Sequence, residues 1–295
     1  MTAALAATAL TGTGTGPDWW SQLFDFRDYG ALLALLQNSI LAGAVLGIVG
    51  GLIGVFVMSR DLAFAVHGIS ELSFAGAAAG LLLGVGVVEG SVVGSIIAAA
   101  VIGLLGARAR DRNSITAVLM PFGLGLGILC LALYPGRTAN KFGLLTGQIV
   151  AVDDPKLGSL ALISLIVVVG LFVVWRPLSF ASVDAEVAAA RGVPVRALGA
   201  LFLLILALTV TEAAQIVGTL LVLSLAISPA AAAQRLSANP VTVTWLSIGF
   251  ALLATEGGIL ASLASETVKP SVFITAISFA IYIAARAATR RVAYA

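Results

Sequence analysis

Long apolar runs without a single charge recur along the chain, at 29–59, 113–136, 157–175, 213–234 and 236–255. A hydrocarbon core about 30 Å thick requires roughly 20 apolar residues per helical crossing. In lipid each backbone polar group must be satisfied within its own segment, so runs of this length predict helices rather than strands. The pattern predicts about nine crossings, near 31–58, 62–86, 90–107, 114–134, 157–175, 197–213, 215–235, 241–263 and 270–288. The tightest join falls at 212–216, within "VTEAAQIVG", where the chain must reverse without a proper loop. Were the two flanking helices one, the topology of the whole N-terminal half would invert.

Composition agrees with this pattern. Of 295 residues, 60% are hydrophobic and only 10% charged, against about 25% charged in soluble proteins. Mean hydropathy is +1.10. The expected fold is all-α: a polytopic membrane helix bundle, residues 29–295 forming one transmembrane domain behind an extracytoplasmic N-terminal tail, 1–28. The first sixteen residues hold no Lys or Arg, so they lack the basic region of a cleaved secretory signal. A net charge of +2 with no basic run excludes nucleic acid as a partner. Cys130, the single cysteine, excludes an internal disulfide.

Basic residues orient the bundle. With the C-terminus inside, cytoplasmic loops hold Arg60, Arg108, Arg110, Arg112, Arg176, Arg191, Arg196, Arg235, Arg286, Arg290 and Arg291. Only Arg27, Arg137, Lys141, Lys156 and Lys269 are left outside. The positive-inside bias therefore places the N-terminus outside the cell membrane. Glycines recur at four-residue spacing, as Gly43, Gly47 and Gly51, as Gly76, Gly80 and Gly84, and as Gly86, Gly90 and Gly94. Each set lines one helix face and predicts close helix packing.

Candidate chemistry begins at "LAFAVHGISELSFAG", residues 62–76, which contains the only histidine of the chain, His67, four residues before Glu71. Measured from Arg60 at 1.5 Å per residue, His67 is about 10 Å and Glu71 about 16 Å into the membrane. The i, i+4 spacing puts both side chains on one face. A carboxylate near the midplane is costly and marks a pathway or a partner. Imidazole beside carboxylate suits a divalent transition ion, with the Ser70 hydroxyl available one turn along. A His–Glu hydrogen bond that fixes packing is the alternative reading of the same pair.

A second stretch, "SFASVDAEVAAARGVPVRA" (179–197), carries the signals of a short amphipathic helix in a cytoplasmic loop. Ser182 is the expected cap, Asp184 and Glu186 lie near the positive end, Arg191 lies near the negative end, Gly192 terminates the helix and Pro194 blocks its continuation. It reads equally as a connector on the membrane surface and as a docking knob for a soluble partner.

These stretches together resemble the zinc/manganese permease family of ATP-binding-cassette importers. The likeness is carried by "RDLAFAVHGISELSFAGAAAGLLLG", "LLQNSILAGAVLGIVGG" (35–51), "FGLLTGQIVAVDD" (142–154), "SVDAEVAAARGVPV" (182–195), "QIVGTLLVLSLAISPAAAAQRL" (215–236) and "PSVFITAISFAIYI" (270–283). The resemblance implies a permease that pairs with a second copy of itself and with cytoplasmic ATP-binding subunits, and receives its ion from an extracytoplasmic metal-binding protein. It implies no permanently bound cofactor, only transported Mn2+ or Zn2+. It places His67 and Glu71 in the metal path, with imidazole and carboxylate exchanged in order relative to the family pattern, and makes Asn38 and Ser70 pathway-lining candidates. It makes 182–195 the ATPase-coupling segment, with Asp184, Glu186, Ala189, Gly192 and Pro194 as its marked positions.

Few nitrogen ligands and no thiolate pair favour manganese over zinc. No "GxxxxGK[ST]" occurs, so P-loop ATP hydrolysis belongs to another chain and the protein is not expected to be an enzyme. A metallohydrolase is disfavoured by the single histidine, since catalytic zinc usually takes three protein ligands. An ion-coupled secondary transporter, with Glu71, Glu212 or Glu256 as proton carriers and no ATPase, is the competing function.

Overall fold

The computed structural model describes residues 36–106, 109–136, 152–218, 222–265 and 268–293. The tail 1–28 and most of the 142–154 stretch lie outside the described residues. Ten helices follow one another: α1 (Gln37–Ser59), α2 (Ala63–Leu83), α3 (Val87–Leu105), α4 (Ala109–Leu133), α5 (Asp154–Val183), α6 (Ala185–Ala190), α7 (Val195–Ile216), α8 (Val222–Leu236), α9 (Pro240–Ser262) and α10 (Pro270–Ala293). Among the described residues, all but α6 and α8 are long and apolar enough to cross a membrane, which makes eight. The protein is an all-α, multi-pass membrane bundle.

Two boundaries differ from the hydropathy reading. The 212–216 stretch is helical, because Glu212, Ala213, Ala214 and Ile216 are buried and extend α7. The break comes just after it, at Val217 and at Gly218 with φ 100°. Helices α7 and α8 are therefore separate. The described 15 residues of α8 span about 22 Å, less than the core thickness. Helix α5 runs 30 residues instead of ending near 175, passing through Pro177. Leu178 and Ala181 are buried beyond the proline, and their burial carries the helix past it.

Burial separates inner from outer helices. In α1, α2 and α7, 61%, 67% and 67% of the apolar window is buried, against 17% in α10. Large apolar side chains on outer faces, such as Leu104, Phe172 and Val173, are exposed, as expected of a lipid-facing surface. Helix α2 packs against α3 and α4, α7 joins α3 and α5, and α9 lies against α1 and α10.

The α2–α3 contact shows why the four-residue glycine spacing is there. A Cβ on Gly76 would run into the Gly90 backbone, and one on Gly90 into the Gly76 backbone. Gly80 meets Gly86 and Gly90 in the same way, so two backbones touch without intervening side chains. At the α1–α9 contact a Cβ on Gly51 would lie 2.6 Å from Ile248 Cα, and Ser247 Oγ donates to the Gly51 carbonyl at 2.7 Å.

The short helix forms, with a different cap from the one expected. Asp184, at φ −147°, accepts from the Glu186 and Val187 amides at 3.0 and 2.9 Å. Ser182 belongs to the last turn of α5 and donates instead to the Leu178 carbonyl at 2.6 Å. Because α5 reaches Val183, only six residues remain for α6, fewer than the two to three turns expected. Gly192 closes it at φ 83°, with its own amide on the Ala189 carbonyl and the Val193 amide on that of Ala188.

Candidate metal-path site

Helix α2 is wedged between α3, α4 and α7, which places its polar residues inside the bundle. Gly123 of α4 lies against the α2 backbone at Glu71 and Leu72, and Thr116 lies against Gly68. On the face bearing the pair, His67 Nε2 is 3.8 Å from Glu71 Oε1. That is too long for a hydrogen bond. The Glu71 side chain is 4% exposed and that of His67 is 27% exposed. His67 Nδ1 and Glu71 Oε2 are buried with no hydrogen-bond partner. Ser70 is fully buried beside them.

An imidazole nitrogen and a carboxylate oxygen 3.8 Å apart can both lie about 2.1 Å from one intervening cation. The orphaned atoms remain as further hydrogen-bond capacity. Among the described residues no group of three or more His, Cys, Asp or Glu side chains converges. The described residues therefore offer two such donors here, too few for a closed structural site.

Asn38 is engaged elsewhere. Its Nδ2 donates to Asp154 Oδ1 at 2.7 Å and to the Val152 carbonyl at 3.3 Å, tying the first turn of α1 to that of α5. Hydropathy could not single out a second buried polar line. Ser73 and Ser91 hydroxyls are 2.6 Å apart, and Thr211 Oγ1 is 2.6 Å from Ser95 Oγ. Next to Thr211, Glu212 accepts from Ser164 at 3.0 Å, while its Oε1 has no partner. Glu256 also buries an unpartnered Oε1, which faces Gly43 of α1. Small hydroxyl residues are compatible with any apolar helix, so only tertiary contact reveals these pairings.

The α1–α2 turn gathers a cluster around Arg60 and Arg112, two of the residues that orient the bundle. Arg112 Nη2 donates to the Arg60 and Asp61 carbonyls at 3.2 and 3.4 Å. Arg60 Nη1 donates to Ser182 Oγ at 3.3 Å, and its guanidinium lies 5.8 Å from the Phe202 ring centroid. Phe56 packs edge-on against Trp175 at 4.8 Å beneath it. Burial, and then the neighbouring Arg112 charge, lower the Arg60 pKa below the usual arginine value. The ends of α1, α4, α5 and α7 thus meet next to α6, whose marked residues Asp184, Glu186, Ala189, Gly192 and Pro194 all lie in the exposed stretch 184–194.

Known proteins share this architecture. The chain is 28% identical over 240 residues to the manganese transport system membrane protein MntC of Halalkalibacterium halodurans, covering 81% of this chain and 82% of that one. It is 26% identical over 245 residues to the high-affinity zinc uptake system membrane protein ZnuB of Haemophilus influenzae, covering 82% and 94%. Its fold is similar to that of PsaBC from Streptococcus pneumoniae, solved in complex with Fab, at TM-score 0.77 and 25% identity over 85% of this chain and 90% of that one. Residues 33–289, which include all of α1 to α9 and most of α10, match the model of the ABC 3 transport family, and the chain belongs to that family.

Proposed function

We propose that this chain is the membrane permease subunit of an ATP-binding-cassette importer for a divalent transition metal, manganese favoured over zinc. The observation that carries the reading is the His67–Glu71 pair on α2, with donor atoms 3.8 Å apart and buried atoms left unpartnered. Relatives named for manganese and zinc transport support it. A separate cytoplasmic ATPase energises the cycle and an extracytoplasmic metal-binding protein delivers the ion. The metal is cargo, held by few donors so that it can leave.

Two copies form the pathway between them, and the partly open His67 supports this arrangement because no third His, Cys, Asp or Glu joins the pair among the described residues. Ser70 lines the route beside Glu71, while Asn38, bonded to Asp154 and Val152, holds α1 to α5 at its outer end. Helix α6, with Asp184, Glu186, Ala189, Gly192 and Pro194, docks on the ATPase. Residues 29–295 act as one domain with α8 as the ninth, interior crossing, the N-terminal tail outside and the C-terminus inside.

Uptake by proteoliposomes holding the permease, its ATPase and its binding protein tests this. Manganese uptake should require ATP, and zinc should compete for it. Uptake that persists without the ATPase and follows a proton gradient would establish the secondary transporter instead, with buried Glu212 as its carrier.

A further inference from the structure

The turn between α1 and α2 is gripped from two sides. Arg112 of α4 holds its backbone through the Arg60 and Asp61 carbonyls. Asp61 is at φ 54°, the one described non-glycine residue in the left-handed region, a conformation that persists only where its surroundings enforce it. From the same turn the Arg60 side chain crosses Phe202 of α7 and donates to Ser182 Oγ. Ser182 is in the last turn of α5, two residues before Asp184, the cap of α6. In the other direction the turn leads directly into α2, where the Val66 amide bonds the Leu62 carbonyl and His67 follows. From the first residue of α2, Ala63, the helix rises only about 6 Å to His67.

We infer that Arg60 is a positioning residue that carries movement of the α6 segment, through Ser182, into α2 and so to the His67–Glu71 pair. The inference rests on the reading of α6 as the ATPase-docking segment. A guanidinium suits the role because its fixed fork holds an acceptor while its face lies on an aromatic ring. The rigid turn makes the link effective: a shift of the α5–α6 junction moves the start of α2 instead of being absorbed by a loose loop.

The test uses the complete transporter in liposomes, with manganese as the probe, and reads ions moved per ATP hydrolysed together with ATPase retained on purification. Ser182→Ala and Arg60→Gln should each lower that ratio about tenfold, the scale of a lost hydrogen bond to a charged group. The double variant should be no lower than the worse single variant, and the ATPase should stay bound. Arg60→Lys, which keeps a donor, should recover part of the ratio. Equal loss of uptake and ATP hydrolysis at unchanged ratio is what a purely structural role gives, and it overturns the inference, as do losses that multiply in the double variant. If Arg60→Gln does not fold, Ser182→Ala, which removes one hydroxyl, decides alone. Ala189→Arg separates the two readings. If it binds ATPase and transports normally, the docking reading fails and the relay with it. If it lowers the ratio while the Arg60 and Ser182 variants do not, the relay alone fails.

Discussion

Glu71 is buried without the hydrogen bonds that a structural carboxylate normally collects. One oxygen is unpartnered and the other only approaches His67 at 3.8 Å. Its replacement should therefore cost little packing. Glu71→Gln keeps the shape and removes the charge, and should reduce metal uptake by more than the about tenfold typical of losing an outer-shell partner of a metal ligand. His67→Ala should do the same at normal expression. Wild-type uptake by both variants would remove the pair from the metal path. Glu212 offers the contrast, since it accepts from Ser164 inside one chain and lies on another helix. Glu212→Gln should keep ATP-driven uptake intact, and its loss would favour the proton-carrier alternative. The sequence revealed the α2 pair because His67 and Glu71 stand out against apolar neighbours. Ser164, Ser95 and Thr211 were not legible, since a hydroxyl bonded to its own helix looks no different in sequence from one that bridges two helices.

Helix α2 keeps its place because glycines admit the α3 backbone on one side and α4 on another. Gly76→Val should force α2 and α3 apart at a cost of about 1–3 kcal/mol, the range for overpacking a well-filled interior. The thermal unfolding midpoint of the detergent-solubilised protein should fall accordingly. Gly125→Ala, in α4 with nothing near its absent Cβ, should leave the midpoint unchanged. Equal midpoints for the two variants would show that the glycine contact is not what holds α2 in place. At the ends of elements the sequence was less informative. The apolar run predicted an end near 175 and Ser182 as a cap, yet buried Leu178 and Ala181 carry α5 to Val183 and pass the cap to Asp184. Capping preference is worth about 1 kcal/mol, less than the burial of two further apolar residues in a packed helix can supply.

At the scale of the whole molecule, the proposed ion path has two converging donors among the described residues, and a second copy is its proposed complement. Native mass measurement of the solubilised complex should find two permease chains in each assembly. A single copy would mean that water or the delivering protein supplies the missing ligands.

The sequence by itself determined the all-α membrane class, the approximate spans, the short helix and its glycine stop, and the candidate pair on α2. Each depends on local hydropathy, helical period or backbone freedom, which neighbouring residues alone decide. Tertiary structure decided which glycine faces meet, where α7 ends, how Asn38 ties α1 to α5 and how Arg60 reaches Ser182. Some of those contacts join residues more than a hundred positions apart, as with Asn38 and Asp154 or Arg60 and Ser182. Such pairs form only when packing of inner against outer helices sets which faces turn toward each other, and in an almost uniformly apolar chain the hydrophobic pattern does not distinguish those faces.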